Sequence, residues 1–220
     1  EAFYLKELPK RALVLGGGYI ACEFAGIFEG LGVHTELVYR GTQILRGFDD
    51  DLRAHVSSEM QKRGIVVRTE TNVAKIEPVG DAKDPDELRV HFKNGETLTT
   101  DLVFAAIGRA PNTQGLGLEQ AGVALNPDGS VPVNDYFQSQ VDSIYAVGDV
   151  INRFQLTPVA LAEGMALARN LFTDAPDYTV DYENIATAVF CEPNIGTVGL
   201  AEAEARERHG AAAIQIVRSE

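Results

Sequence analysis

Apolar and polar positions change their period along the chain. Residues 12–15 form an unbroken apolar run, followed at once by Gly16, Gly18 and the small Ala21, then by helical spacing from Tyr19 to Phe28. Strands buried on both faces read as such runs. Glycines at 30 and 32 stop the helix, and residues 33–39 predict a second strand. Together these make a βαβ unit of the usual length, about 30 residues. Leu52, Val56 and Met60, at intervals of four, place one apolar face on a helix over residues 49–63 with Gly64 as its stop. A third short strand is expected at residues 65–68.

After Thr71 the pattern turns to alternation at residues 73–76, 88–92 and 97–99, with Asn94 and Gly95 as a hairpin turn. It predicts an antiparallel meander inserted in the sheet, with an exposed polar loop at residues 80–86. Residues 101–112 return to a buried strand ending at Gly108, and residues 115–129 read as a connection. Residues 143–150 predict another strand, with Gly148 and Asp149 at its end. Leu156 precedes Thr157, an expected N-cap, and Pro158 suits the first turn of a helix running to Phe172. The tail predicts a strand at 185–190, a turn at 193–196, a helix at 201–208 and a strand at 211–217. The chain opens without Met and its last sheet stops at a second strand, so a piece of a longer protein is expected. The fold class is α/β, with a Rossmann-like parallel sheet.

Strand, tight glycine turn and helix in that order suit a pyrophosphate. Gly16 permits the turn, Gly18 lets phosphate approach the backbone, and Ala21 lets helix and strand pack closely. The helix N-terminus adds free N–H groups and partial positive charge. At the end of the second strand NAD-binding versions carry an Asp or Glu for the adenine ribose. Tyr39 stands there, 18 residues after Ala21, followed by Arg40 and then Arg46. Two guanidinium groups in that place suit the extra 2′-phosphate of NADP; the alternative is two solvated loop arginines. Gly108 and Arg109 follow a strand end and are expected to face the same cleft as Gly16, although Arg109 equally suits a brace at a domain boundary. Asp149 reads either as part of a second polar site or as a turn residue.

With a net charge of −13 in 220 residues and no basic cluster, the chain offers nucleic acid or an anionic membrane no surface. No apolar run approaches the ~20 residues of a membrane span, and no signal peptide opens the chain. Cys22 and Cys191 are the two cysteines, far apart and outside any C-x-x-C pattern. Cys22 is expected to be a packed thiol, no metal site is expected, and the cysteine usage fits a reducing cytoplasm.

Five motifs occur in one order: Gly16 to Glu23, the loop with Arg40 and Arg46, residues 106–112 (AIGRAPN), residues 145–149 (YAVGD) and residues 156–160 (LTPVA). In this the whole chain resembles the flavin-dependent pyridine nucleotide-disulfide reductases, and within them the bacterial and plant glutathione reductase group. The resemblance implies an NADPH domain over residues 1–130, the central part of an FAD domain over 131–180, and the start of a dimerisation domain over 181–220. It implies NADP and FAD as cofactors, glutathione disulfide as substrate and a homodimer. Gly16, Gly18, Ile20 and Ala21 would border the pyrophosphate and Arg40 and Arg46 the 2′-phosphate. Tyr19 resembles the family's gating tyrosine, and Glu23 the glutamate that pairs with a flavin-side lysine. Gly148 and Asp149 would meet the flavin ribityl chain, Leu156 and Thr157 the flavin ring, and Ala188 and Phe190 the nicotinamide. The family's redox cysteine pair and catalytic His-Glu pair have no counterpart in these residues, so NADPH binding without turnover is expected of them. Met165 stands where animal-type members carry a glutathione-contacting arginine, which leaves trypanothione or another disulfide as the rival substrate. A non-catalytic NADPH or flavin sensor, and a flavin reductase with a non-disulfide acceptor, are the readings from other classes.

Overall fold

A computed structural model describes residues 2–80, 87–174 and 177–219 of the chain. It divides into two compact units, Glu1–Gly108 with Ala186–Glu220, and Arg109–Ile185.

The first unit is built on a four-stranded parallel sheet. Its strands are β1 (Arg11–Leu15), β2 (His34–Val38), β3 (Val66–Arg68) and, later in the chain, β7 (Leu102–Ala105), in the order β3-β2-β1-β7. Helices α1 (Tyr19–Gly30) and α2 (Asp50–Lys62) make the crossovers between β1, β2 and β3. Side-chain alternation sorts the strands onto two cores. Ala12, Val14, Leu37, Leu102 and Phe104 face a cluster shared with Cys22, Ala25 and Phe28 of α1 and Val56 and Met60 of α2. Leu13, Leu15, Val38 and Val103 face the other way, toward Val90, Phe92 and Leu98. Both faces are covered, which is why β1 is apolar from Ala12 to Leu15. Phe104 stacks on Phe24 of α1 with ring centroids 4.3 Å apart.

The meander of β4 (Val73–Val79), β5 (Glu87–Phe92) and β6 (Thr97–Thr100) is as expected antiparallel, with the Asn94–Gly95 turn between β5 and β6. It forms a three-stranded sheet of its own and does not join the parallel ladder. Most of the expected loop at 80–86 lies outside the described residues.

Also in the first unit, β8 (Thr187–Val189) pairs with β9 (Ile195–Thr197) as a hairpin. Val189, Cys191 and Ile195 are buried in the same cluster as α1. The turn expected at 193–196 is therefore earlier, because Ile195 and Gly196 belong to the ladder. Helix α4 (Glu202–His209) follows. The strand expected at 211–217 is absent: Ala211–Ala213 form a 3-10 turn, and residues 214–219 find no ladder partner.

In the second unit the strand expected at 143–150 does not form. A single bridge, Gln138 to Tyr145, is made there, and Gly148–Ile151 turn into a 3-10 helix. An apolar run becomes a strand only where a neighbour completes its backbone bonds. Helix α3 (Thr157–Phe172) starts one residue earlier than expected: Leu156 is its N-cap and Thr157 its first residue, with Pro158 in the first turn. Phe137, Ile151 and Ala166 form the core of this unit.

Candidate functional site

The turn after β1 is shaped by close backbone approach. Gly16 has φ +135°, and a Cβ on it would come within 2.2 Å of the Ala106 carbonyl oxygen beyond β7. Its N–H donates to Val38 O at 2.9 Å, which ties the turn to the end of β2. Gly18 is exposed, has open space where a side chain would stand, and caps α1 without a side-chain bond. The first-turn N–H groups of a helix have no intrahelical acceptor, so the open face at Gly18 suits an anion. Ala21 is buried and its Cβ would lie 3.4 Å from one on Gly16, so helix and strand are as close as small residues allow. Tyr19 and Ile20 are half-buried in the first turn of α1, with Tyr19 packed against the core. Gly108, φ +135°, lies exposed past the end of β7, the parallel neighbour of β1.

Tyr39 is half-buried, and its ring fills the space beside two glycines. A Cβ on Gly17 would come within 2.4 Å of that ring and one on Gly41 within 2.6 Å. The loop that follows is anchored to the glycine turn. Leu45, fully buried with φ +56°, donates its N–H to Gly17 O at 2.6 Å, and Ile44 beside it is also fully buried. From α2, Arg53 donates to Ile44 O at 2.8 Å and Gln43 O at 2.9 Å. Arg40 and Arg46 stand on this anchored loop, both exposed, and neither side chain has a hydrogen bond or ion pair among the described residues.

Glu23, one turn into α1, accepts the backbone N–H of Phe190 at 2.9 Å. That bond seats the segment just after β8, where the Phe190 ring is 72% exposed; Ala188 is exposed too. In the second unit Arg109 donates to Asp149 Oδ2 at 2.8 Å, both side chains about half exposed. Gly148, φ +73°, donates its N–H at 2.5 Å to Oε2 of Glu163, which is fully buried. Tyr182 donates its hydroxyl to the other Glu163 oxygen at 2.7 Å, and burial, with that carboxylate next, raises the phenol above its ordinary range. Leu156 and Thr157 open α3 with no side-chain cap, which leaves its N-terminal N–H groups open. Met165 lies exposed on the same helix.

Residues 1–164 match the model of the pyridine nucleotide-disulphide oxidoreductases. The chain belongs to that family. Among curated relatives of this chain, a glutathione reductase of Burkholderia cepacia is 46% identical over 209 residues, 95% of this chain and 45% of that protein. A trypanothione reductase of Leishmania donovani is 45% identical over 218 residues, 97% of this chain and 43% of that protein. Among solved structures, the HOCl-induced flavoprotein disulfide reductase RclA of Escherichia coli is similar, with TM-score 0.86 and 30% identity over 94% of this chain and 46% of that chain. The chain spans under half the length of each.

Pyridine nucleotide-disulphide oxidoreductases of the glutathione reductase kind are flavoproteins that use FAD and NADPH. Two observations on this chain fit a dinucleotide: the backbone at Gly18 is bare, and beyond β2 stand two arginines without an acid partner among the described residues. Gly17, Gly41, Arg53 and Glu163 escaped the reading of the sequence. The three-glycine run hinted at Gly17, but the contact that requires it comes from Tyr39, a helix and a strand further along the chain. Glu163 resembles any helix carboxylate until the turn at Gly148 is seen against it. No helix among the described residues is long and apolar enough to cross a membrane.

Proposed function

We propose that this chain is the nucleotide-binding part of an NADPH-dependent, FAD-containing disulfide reductase whose substrate is glutathione disulfide. The observation that carries the choice of NADPH is the pair Arg40 and Arg46, unpartnered among the described residues, on a braced loop, with Tyr39 where a ribose-binding carboxylate would stand. In an acidic chain, two arginines without acid partners among the described residues leave their charge for a ligand. Gly16, Gly18, Ile20 and Ala21 would border the pyrophosphate, whose charge the N-terminus of α1 stabilises. Tyr19 would act as the nicotinamide gate, and Glu23, by holding Phe190 N–H, would place Phe190 beside the nicotinamide. Gly108 and Arg109 would border the nucleotide cleft, while Gly148, Asp149, Leu156 and Thr157 would hold FAD. FAD, when bound, supplies the relay of reducing equivalents from NADPH to a disulfide. The domain borders proposed are 1–130, 131–180 and 181–220, and the intact protein is proposed to be a cytoplasmic homodimer.

Trypanothione is the second reading of the substrate. It is favoured by the Leishmania relative, nearly as similar as the Burkholderia one. Titration calorimetry of the intact protein with 2′,5′-ADP and 5′-AMP tests the nucleotide assignment. The 2′-phosphate should improve binding about tenfold or more, the effect of one or two charge-assisted bonds. Equal binding overturns it. Comparing NADPH oxidation with glutathione disulfide and with trypanothione disulfide decides the substrate.

A further inference from the structure

The arginine loop owes its shape to a residue that touches no proposed ligand. Arg53, the fourth residue of α2, is only 16% exposed at its side chain, and all three guanidinium nitrogens are engaged. Nε donates to Ile44 O at 2.8 Å, Nη2 to Gln43 O at 2.9 Å, and Nη1 to Asp50 Oδ1 at 2.6 Å. One planar fork therefore grips two successive carbonyls in a fixed geometry that the point-like ammonium of a lysine does not reproduce. From the glycine turn, Gly17 O takes the N–H of Leu45. Leu45 is held at φ +56°, a conformation that L side chains avoid and that persists only where the surroundings over-determine it. The residue immediately after this clamped, buried pair is Arg46.

We propose that Arg53 is a positioning residue for 2′-phosphate selectivity: by fixing the carbonyls of Gln43 and Ile44 it holds the backbone of Arg46 in its binding position before ligand arrives. The proposal rests on Arg40 and Arg46 being the 2′-phosphate pair. A loose loop must be ordered when phosphate binds, and that ordering subtracts from affinity; a clamped loop avoids it. The effect is confined to the 2′-phosphate, because the glycine turn holds the pyrophosphate through other backbone groups.

The test measures dissociation constants of 2′,5′-ADP and 5′-AMP for the intact protein and for Arg46→Ala, Arg53→Ala, Arg53→Lys and Asp50→Asn. Arg53→Ala should weaken 2′,5′-ADP about tenfold and leave 5′-AMP within twofold. Arg53→Lys, which keeps the charge and loses the fork, should show most of that loss. Asp50→Asn, which leaves both carbonyl bonds in place, should leave the ratio unchanged. If Arg46→Ala does not change the ratio, the reading of the arginine pair fails. If it does while Arg53→Ala does not, the positioning role fails. Full recovery in Arg53→Lys would assign the effect to charge and overturn the proposal, and this variant decides the matter should Arg53→Ala not fold. Equal loss for both ligands would mean a general disturbance of the turn and would overturn it too.

Discussion

The ring of Tyr39 lies so close to Gly17 that a Cβ there would come within 2.4 Å of it. The residue occupying the place of the ribose-binding carboxylate thus also sets which residue the glycine turn accepts at its middle position. Gly17→Ala should destabilise the protein by about 1–3 kcal/mol, the range for overpacking. Tyr39→Ala removes the obstacle, so the double variant Gly17→Ala with Tyr39→Ala should be less destabilised than the two single changes summed. Denaturant melts of the four proteins give the coupling directly; additive losses would mean that the ring moves aside freely.

A buried carboxylate controls the turn that carries Asp149. Glu163 accepts from Gly148 N–H and from the Tyr182 hydroxyl, so both its oxygens are used. In Glu163→Gln the amide oxygen can face Gly148 and the amide nitrogen can donate to Tyr182, so the loss should be about 1 kcal/mol. Glu163→Ala strands the Gly148 N–H and opens a cavity, and should lose about 3 kcal/mol or more. Equal losses for the two variants in urea unfolding would contradict this account.

Much of the first unit was legible because its signals are local. The apolar run of β1, the glycines after it and the period of α1 are all set within 20 residues, and the apolar face of α2 needs only Leu52, Val56 and Met60. What failed depended on distant neighbours. Residues 143–147 and 211–217 carry strand composition, but a ladder needs a second strand, and composition does not say whether one is there. The site divides the same way. Arg40 and Arg46 stand out in the sequence as cations in an acidic chain. The groups that hold their loop, Arg53 and the carbonyl of Gly17, look like an ordinary helix residue and an ordinary turn until the fold brings them together.

Acid should act on the start of β1. Asp101 Oδ2 accepts the N–H groups of Lys10 and Arg11 at 3.1 and 2.8 Å, and Oδ1 takes the Arg11 guanidinium. The hydrogen bond from Arg11 holds this carboxyl below its ordinary range. A carboxyl lowered in the folded state contributes stability that is present above its unfolded value, about pH 4, and is lost as pH falls through the folded value. Unfolding free energy should therefore drop between neutral pH and pH about 3 more steeply in the parent than in Asp101→Asn. Parallel pH profiles would assign the acid sensitivity to other carboxylates.

The two thiols should be silent in the folded protein. Cys22 is fully buried in α1, and burial pushes its thiol up to about 12. Cys191, also buried, is raised for the same reason, and its Sγ donates to Pro193 O at 3.2 Å. The thiolate is the reactive species, and at pH 8 a thiol near pKa 12 is ionised to only about one part in ten thousand. Alkylation with iodoacetamide at pH 8, followed by peptide mass mapping, should find both cysteines unmodified in the native protein and both modified in urea. Rapid native labelling of Cys22 would show that α1 opens from the sheet in solution, and would remove the rigid glycine turn on which the proposed nucleotide binding rests.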